Sequence, residues 1–217
     1  MDFYRRHWYQ LGLVFSLVVL VWLVASWNEI GWLHRLSALN FIALMLHQFE
    51  EYRWPGGFPA VMNIGLSNSE YPDRYPLNQH NTLVTNVFLA YPFYLLPIFF
   101  PEYAWIGIPP ILFGLSQFGI HGIRVNRAMK TLYNPGLAAV ILGHIPFGLA
   151  YIWYGQTHGL ISGFDWIWGL MYTAAFALLF RKYTFQWSPD INSKYPFSEI
   201  ELKRSGIYDR LISRKKI

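Results

Sequence analysis

Apolar residues in this chain come in long unbroken blocks, not in the alternating or one-sided patterns of a soluble domain. The block LGLVFSLVVLVWLVASW has no polar face, and a helix that is apolar on every side belongs in a large core or in a bilayer. A membrane span needs roughly 20 mostly apolar residues. Six stretches approach that pattern: Leu11 to Trp27, Leu33 to Trp54, Thr82 to Phe100, Ala104 to Ile123, Pro135 to Tyr154 and Leu160 to Phe180. Pro135 suits a first helical position, where a missing N–H costs nothing. The first stretch follows Arg5 and Arg6 and also fits a signal peptide cleaved after Ser26. The charge pattern works best with that helix retained.

Charge decides the topology. The chain is 54% hydrophobic and 13% charged, about half the usual share of charge, so a soluble domain would expose much of its apolar surface. The net charge of +5 could suggest nucleic acid, but its distribution follows the positive-inside rule. With the N-terminus inside, every Lys and Arg except Arg35 lies on the inner side, while Glu29, Glu102 and Asp165 occupy outer turns. Tryptophans mark the same two interfaces: Trp27, Trp32, Trp105, Trp153, Trp166 and Trp168 outside, and Trp8, Trp54 and Trp187 inside. The expectation is an all-α, polytopic transmembrane helical bundle of about six spans in the plasma membrane, both termini cytoplasmic. Residues 1–181 form the membrane domain. Residues 182–217 form a basic cytoplasmic tail attracted to anionic membrane lipids, and nucleic acid is not an expected partner. Cysteine is absent, which excludes disulfides, thiolate metal sites and a cysteine nucleophile.

Within these apolar blocks a few polar residues stand out. A charge at the centre of a span costs roughly 2.5–3.5 kcal/mol, so such residues usually have a partner or a task. His47, Glu50 and Glu51 in LHQFEEYRW lie three and four residues apart, which places both carboxylates beside the imidazole on a helix. Ser37 and Asn40 extend the stripe, which must face the bundle interior or a cavity. An EE pair alone would more simply end a helix at the interface, neutralised by Arg53. Gln117 and His121 share a face of the fourth span at the same inner depth, and His144 lies deeper on the fifth. A lone buried histidine is usually a core residue, and His144 counts only as the third of a group. The long connection from Pro55 to Asn81 follows Glu51 directly. Either it covers the inner mouth as a lid or it merely seals the bundle. Asn134-Pro135-Gly136 reads as a turn and helix start. His7, His34 and His158 read as surface residues.

LHQFEEY, followed by WPGGFP, resembles the signature of the HXXEE family of polytopic membrane proteins, with His121 and the YNPG segment in the places of further family features. The resemblance implies a membrane-embedded site and supplies no activity. From the residues themselves, His47, Glu50, Glu51, His121 and His144 are candidate ligands for a divalent metal, zinc, iron or manganese, since imidazole and carboxylate without sulfur suit these ions. His47, Glu50, Glu51 and His121 are the candidate catalytic groups of a metal-dependent hydrolase or oxidase acting on a lipid-like substrate. Without a metal, Glu51 would act as a general base and Arg53 or Arg124 would balance its charge. A proton-coupled transporter and a non-enzymatic protein with a structural polar core are the alternatives, because intramembrane Glu and His also serve as proton relays.

Overall fold

The computed structural model describes residues 1–215; Lys216 and Ile217, the end of the expected tail, lie outside the described residues. The architecture is all-helical, with no strand among the described residues. We number the helices in chain order. Helix α1 is Asp2–Ala25 and α2 is Trp32–Tyr52. A short helix, α3, covers residues 58–66. The long helices α4 (Gln79–Phe99), α5 (Ala104–Met129), α6 (Leu137–Thr157) and α7 (Gly163–Trp187) follow. Two short helices, α8 (Glu199–Lys203) and α9 (Ile207–Lys215), complete the chain.

Helices α1, α4, α5, α6 and α7 are long and apolar enough to cross a membrane. Against the expected six spans, α2 is the one set apart. It is 21 residues long, but Arg35, Asn40, His47, Gln48, Glu50 and Glu51 dilute its apolar character. It is also the central helix, packed against α1, α4, α5 and α6. Its polar stripe is legible in space: Ser37, Asn40, His47 and Glu51 are all buried. That is where polar groups must go when the outside of the bundle is apolar.

Local chemistry sets the helix starts. Asn78 begins α4 by accepting from the backbone of His80 and Asn81, while the Asn81 side chain accepts from the Asn78 N–H, a reciprocal cap. Ser162 and Asp165 do the same for α7. Helices α5 and α7 run past the apolar stretches that announce them, to Met129 and Trp187, through wide π-helical turns at Gly119–Val125 and Tyr183–Trp187.

The connection after α2 is not a free loop. Helix α3 packs against α2 and α5, and Asn63, fully buried, gathers the strap that follows it. Its amide donates to the carbonyls of Pro72 and Leu77 (both 2.9 Å) and its oxygen accepts from the Leu77 N–H (3.0 Å). The C-terminal segment folds back over α3. Phe197, Leu202, Ile207 and Leu211 share one core with Phe58, Val61 and Met62 of α3 and with Trp8, Tyr9 and Tyr52. Because the start of α1, the end of α2 and the C-terminal helices meet in this core, both ends of the described chain lie at one end of the bundle, hereafter the basic end.

Candidate metal centre

Three side chains from two helices converge at the basic end of the bundle. His47 Nε2 lies 3.5 Å from Glu51 Oε1 and His121 Nε2 lies 3.4 Å from the same oxygen. One donor atom from each of the three residues falls within 4.8 Å of the others. All three residues are buried. The i, i+4 spacing on α2 aligns His47 with Glu51, and a π-helical turn of α5 carries His121. The two imidazoles meet edge to face, ring centres 4.8 Å apart.

The hydrogen bonds around the rings fix their tautomers. His47 Nδ1 lies 2.9 Å from the carbonyl of Gly136, which can only accept, so Nδ1 carries the proton. His121 Nδ1 lies 2.7 Å from Asn134 Oδ1. The Asn134 amide nitrogen donates to the His121 carbonyl (2.7 Å) and to Asn126 Oδ1 (2.8 Å), which fixes its flip, so His121 also donates through Nδ1. His144 follows the same rule. Its Nδ1 lies 2.7 Å from Asn40 Oδ1, and the Asn40 amide is anchored on the Pro110 carbonyl at 3.2 Å. Each ring therefore leaves Nε2 as the nitrogen free to ligate in the neutral form. In metal sites the ligating histidine characteristically donates its other N–H to a carbonyl or carboxylate, and here three buried histidines have that arrangement.

Two further observations test whether the residues fit a metal. The two imidazole-to-carboxylate separations, 3.4 and 3.5 Å, exceed a hydrogen bond of about 2.7–3.2 Å and match the edge of about 3.4 Å between ligands of a tetrahedral ion with ~2.1 Å bonds; the three donors together lie within 4.8 Å, so the histidines would draw in as an ion binds. The Glu51 charge also has no fixed cation. Among the described residues its only ion-pair partners are the two imidazoles, and Arg53 and Arg124 are both exposed and make no such pair.

The other expected site residues fall in different places. Glu50 turns away from the centre. Its oxygens accept from the Tyr133 hydroxyl (2.7 Å) and from the N–H groups of Ala138 (3.1 Å) and Ala139 (2.8 Å). It therefore caps the first turn of α6 from a neighbouring helix, where an anion is favoured. Burial and this carboxylate push the Tyr133 phenol well above its ordinary range. His144 is fully buried with its ring centre 5.8 Å from that of His47, and its Nε2 has no hydrogen-bond partner. It stands beside the three-residue group and not within it.

Phe58 and Gly136, read in the sequence only as parts of the WPGGFP and NPG strings, complete the site. Phe58 of the WPGGFP string stacks on His121 at 5.3 Å. Gly136 has φ +103°, and a Cβ there would stand 2.6 Å from His121 Cε1 and 2.8 Å from His47 Cε1. Glycine is needed for both reasons: the backbone is left-handed and both rings press on it. The NPG string signals a turn, but nothing local announces that the turn holds two histidines. On its other side the centre opens into a cavity of about 600 Å³, which His47, Glu51 and His121 line together with Gln117.

The family of proteins of unknown function with an HXXEE motif matches residues 38–151. The chain belongs to this family. The defining motif is His47, Glu50 and Glu51, and the matched span also contains His121, the YNPG segment and His144. No curated protein and no solved structure matches the chain. In this member of the HXXEE family the two glutamates of the motif are divided between tasks: the second faces the histidines, and the first ties α2 to the start of α6.

Proposed function

We propose that this protein is a membrane-embedded, metal-dependent enzyme, a hydrolase or oxidase, that acts on a lipid-like substrate. The observation that carries this reading is the shared orientation of the histidines. Each Nδ1–H is committed to a carbonyl oxygen, so His47 and His121 turn Nε2 toward the Glu51 carboxylate, where both nitrogens can ligate once deprotonated. His47, Glu51 and His121 would hold the ion, and His144 Nε2 is the nearest additional nitrogen without a partner. Two histidines and one carboxylate is a donor set used by catalytic zinc and by non-haem iron. A divalent ion there supplies Lewis acidity toward a water molecule or a substrate oxygen. Gly136 and Asn134 hold the rings, Phe58 covers His121, and the cavity brings substrate to the exposed side of the centre.

A membrane location is supported by the five long apolar helices. We infer six crossings, with α2 counted, and a cytoplasmic basic end. Exposed Trp54 and Trp187 near that end and exposed Trp32, Trp153 and Trp168 near the other suit the two interfaces. A reporter fused after the last residue should be active only when it reads the cytoplasmic side.

Elemental analysis of detergent-purified protein tests the central claim. About one equivalent of zinc or iron per chain is expected, zinc marking a hydrolase and iron an oxidase. The ion should be lost in His47→Ala and His121→Ala while helix content is unchanged. A wild-type protein that never retains a transition metal, even after reconstitution, overturns the metal reading.

A further inference from the structure

The cavity at the metal centre is long and graded in polarity. On α5 its wall runs from Leu112 and Phe113 to His121 and Arg124, a rise of about 18 Å at ~1.5 Å per residue. On α7 it runs in parallel from Thr173 to Arg181 and Phe185. The deep end is walled by Leu112, Phe113 and Ala177, with the Thr173 hydroxyl bonded back to the Gly169 carbonyl. The end nearest the metal ligands carries two arginines, one from each helix. Arg124 and Arg181 are both exposed, and among the described residues neither has an acidic partner or a hydrogen bond. The bundle's own carboxylates nearby are already engaged, Glu50 by α6 and Tyr133 and Glu51 by the histidines.

The packing of the two helices gives this cavity a side door. Helices α5 and α7 pack closely through Ala104–Phe118 and Gly163–Lys182, whereas their π-helical turns at the basic end, Gly119–Val125 and Tyr183–Trp187, touch at most slightly. Exposed Ile120 and Phe185 flank the gap. A cavity of about 600 Å³ lies within the usual range of about 300–1,000 Å³ for small-molecule sites.

We propose that the substrate is an amphiphile with a phosphate or similarly compact oxyanionic head, which enters between α5 and α7 with its head on Arg124 and Arg181 and its chain toward Leu112 and Phe113. Two guanidinium groups without acceptors are suited to a phosphate, which they can grip through paired hydrogen bonds. The apolar end of the cavity suits a hydrocarbon chain. The position of the centre adds a constraint. His121 lies one helical turn from Arg124, about 4.5 Å along the axis, so the reacting atom belongs near the head and not near the far end of the chain. This assignment rests on the metal-enzyme reading for its chemistry, but its binding geometry rests on the arginines alone.

Photolabelling tests it. The probe is dodecyl phosphate carrying a diazirine near the methyl end of its chain, applied to protein in a nonionic detergent, with labelled peptides mapped by mass spectrometry and metal content measured on the same samples. Label is expected on the segments containing Leu112 and Phe113 or Ala177. Unlabelled dodecyl phosphate should compete, and dodecyltrimethylammonium and equimolar inorganic phosphate should not. The double variant R124Q/R181Q should lose labelling at least tenfold with metal content unchanged, and R124K/R181K should recover part of it. Wild-type labelling in R124Q/R181Q, or equal competition by the cationic amphiphile, overturns the oxyanionic head. Equal competition by inorganic phosphate overturns the amphiphile. His47→Ala separates this claim from the metal claim: it should lose metal and keep the label. Label that follows the arginines in a wild-type protein that never retains metal would sink the enzyme reading and leave the binding site standing.

Discussion

Glu50 and Glu51 are neighbours in the chain, yet successive residues on an α-helix diverge by about 100°, and here that angle separates two roles. Glu51 faces two imidazoles; Glu50 faces the first turn of α6. Exchange of each for glutamine should therefore give opposite results. Glu51→Gln should weaken metal binding by more than the ~10–100-fold that loss of a supporting hydrogen bond costs, with little change in thermal stability. Glu50→Gln should keep the metal and lower stability, because one of the two carboxylate oxygens becomes an amide donor, leaving a backbone donor unsatisfied at a cost of about 1–3 kcal/mol. Metal titration and thermal unfolding in detergent measure both. If the two variants behave alike, the division of roles is wrong. Asn134 offers a finer test: Asn134→Ala removes the acceptor of His121 Nδ1–H and should weaken metal binding ~10–100-fold with helix content retained. The pairing of His47 with Glu51 was legible in the sequence, because helical spacing alone produces it, and the depth of His121 followed from topology. The task of Glu50 was not legible, since its partners Tyr133, Ala138 and Ala139 lie far along the chain and no local pattern announces a cap supplied by another helix.

At the scale of elements, the apolar stretches located the long helices but not their ends. Hydropathy marks only the apolar part of a helix, whereas α5 and α7 continue beyond it through π-helical turns, one of which carries His121. The segment between α2 and α4 was legible as long and turn-rich, but not as a packed helix. Its order comes from Asn63 and from burial against residues more than a hundred positions later in sequence. The start of α6 shows how one element serves the site. Gly136 closes the turn, its carbonyl receives His47 and its bare Cα admits both rings. Gly136→Ala should be among the most damaging single changes in the chain. The left-handed backbone costs about 1–3 kcal/mol for a non-glycine residue, and forcing a methyl group into the packed rings adds about 1–3 kcal/mol. A lowered unfolding temperature together with a weakened metal site is expected. A stable variant with full metal content would show that the turn can relax away from the histidines.

The whole molecule is closed at its basic end by its own C-terminal segment. A basic tail reads most simply as a lipid-facing extension, yet its apolar residues Phe197, Leu202, Ile207 and Leu211 are buried with α3. Its polar contacts are specific as well: the Arg204 guanidinium donates to the Tyr52 carbonyl, Ser205 to the Gly56 carbonyl at 2.9 Å, Gln79 to Glu201 at 2.9 Å, and Arg214 to the Met129 carbonyl at 2.9 Å. The left-handed Gly57 lets the two segments approach, since a Cβ there would stand 2.6 Å from the Arg204 carbonyl oxygen. These contacts press α3 onto the bundle, and α3 in turn sets Phe58 on His121. Burial of one Leu or Ile side chain is worth about 1.5–3 kcal/mol, so loss of Leu202, Ile207 and Leu211 would remove a large part of what holds α3. Removal of residues 198–217 should therefore speed proteolytic cleavage within residues 55–78 at least tenfold and weaken metal binding, although no ligand is deleted. Arg204→Ala should move both readouts in the same direction by a smaller amount in a chain whose long helices are intact. If cleavage and metal affinity stay at wild-type values in both variants, α3 is held by the bundle alone, and the C-terminal segment does not support the metal centre.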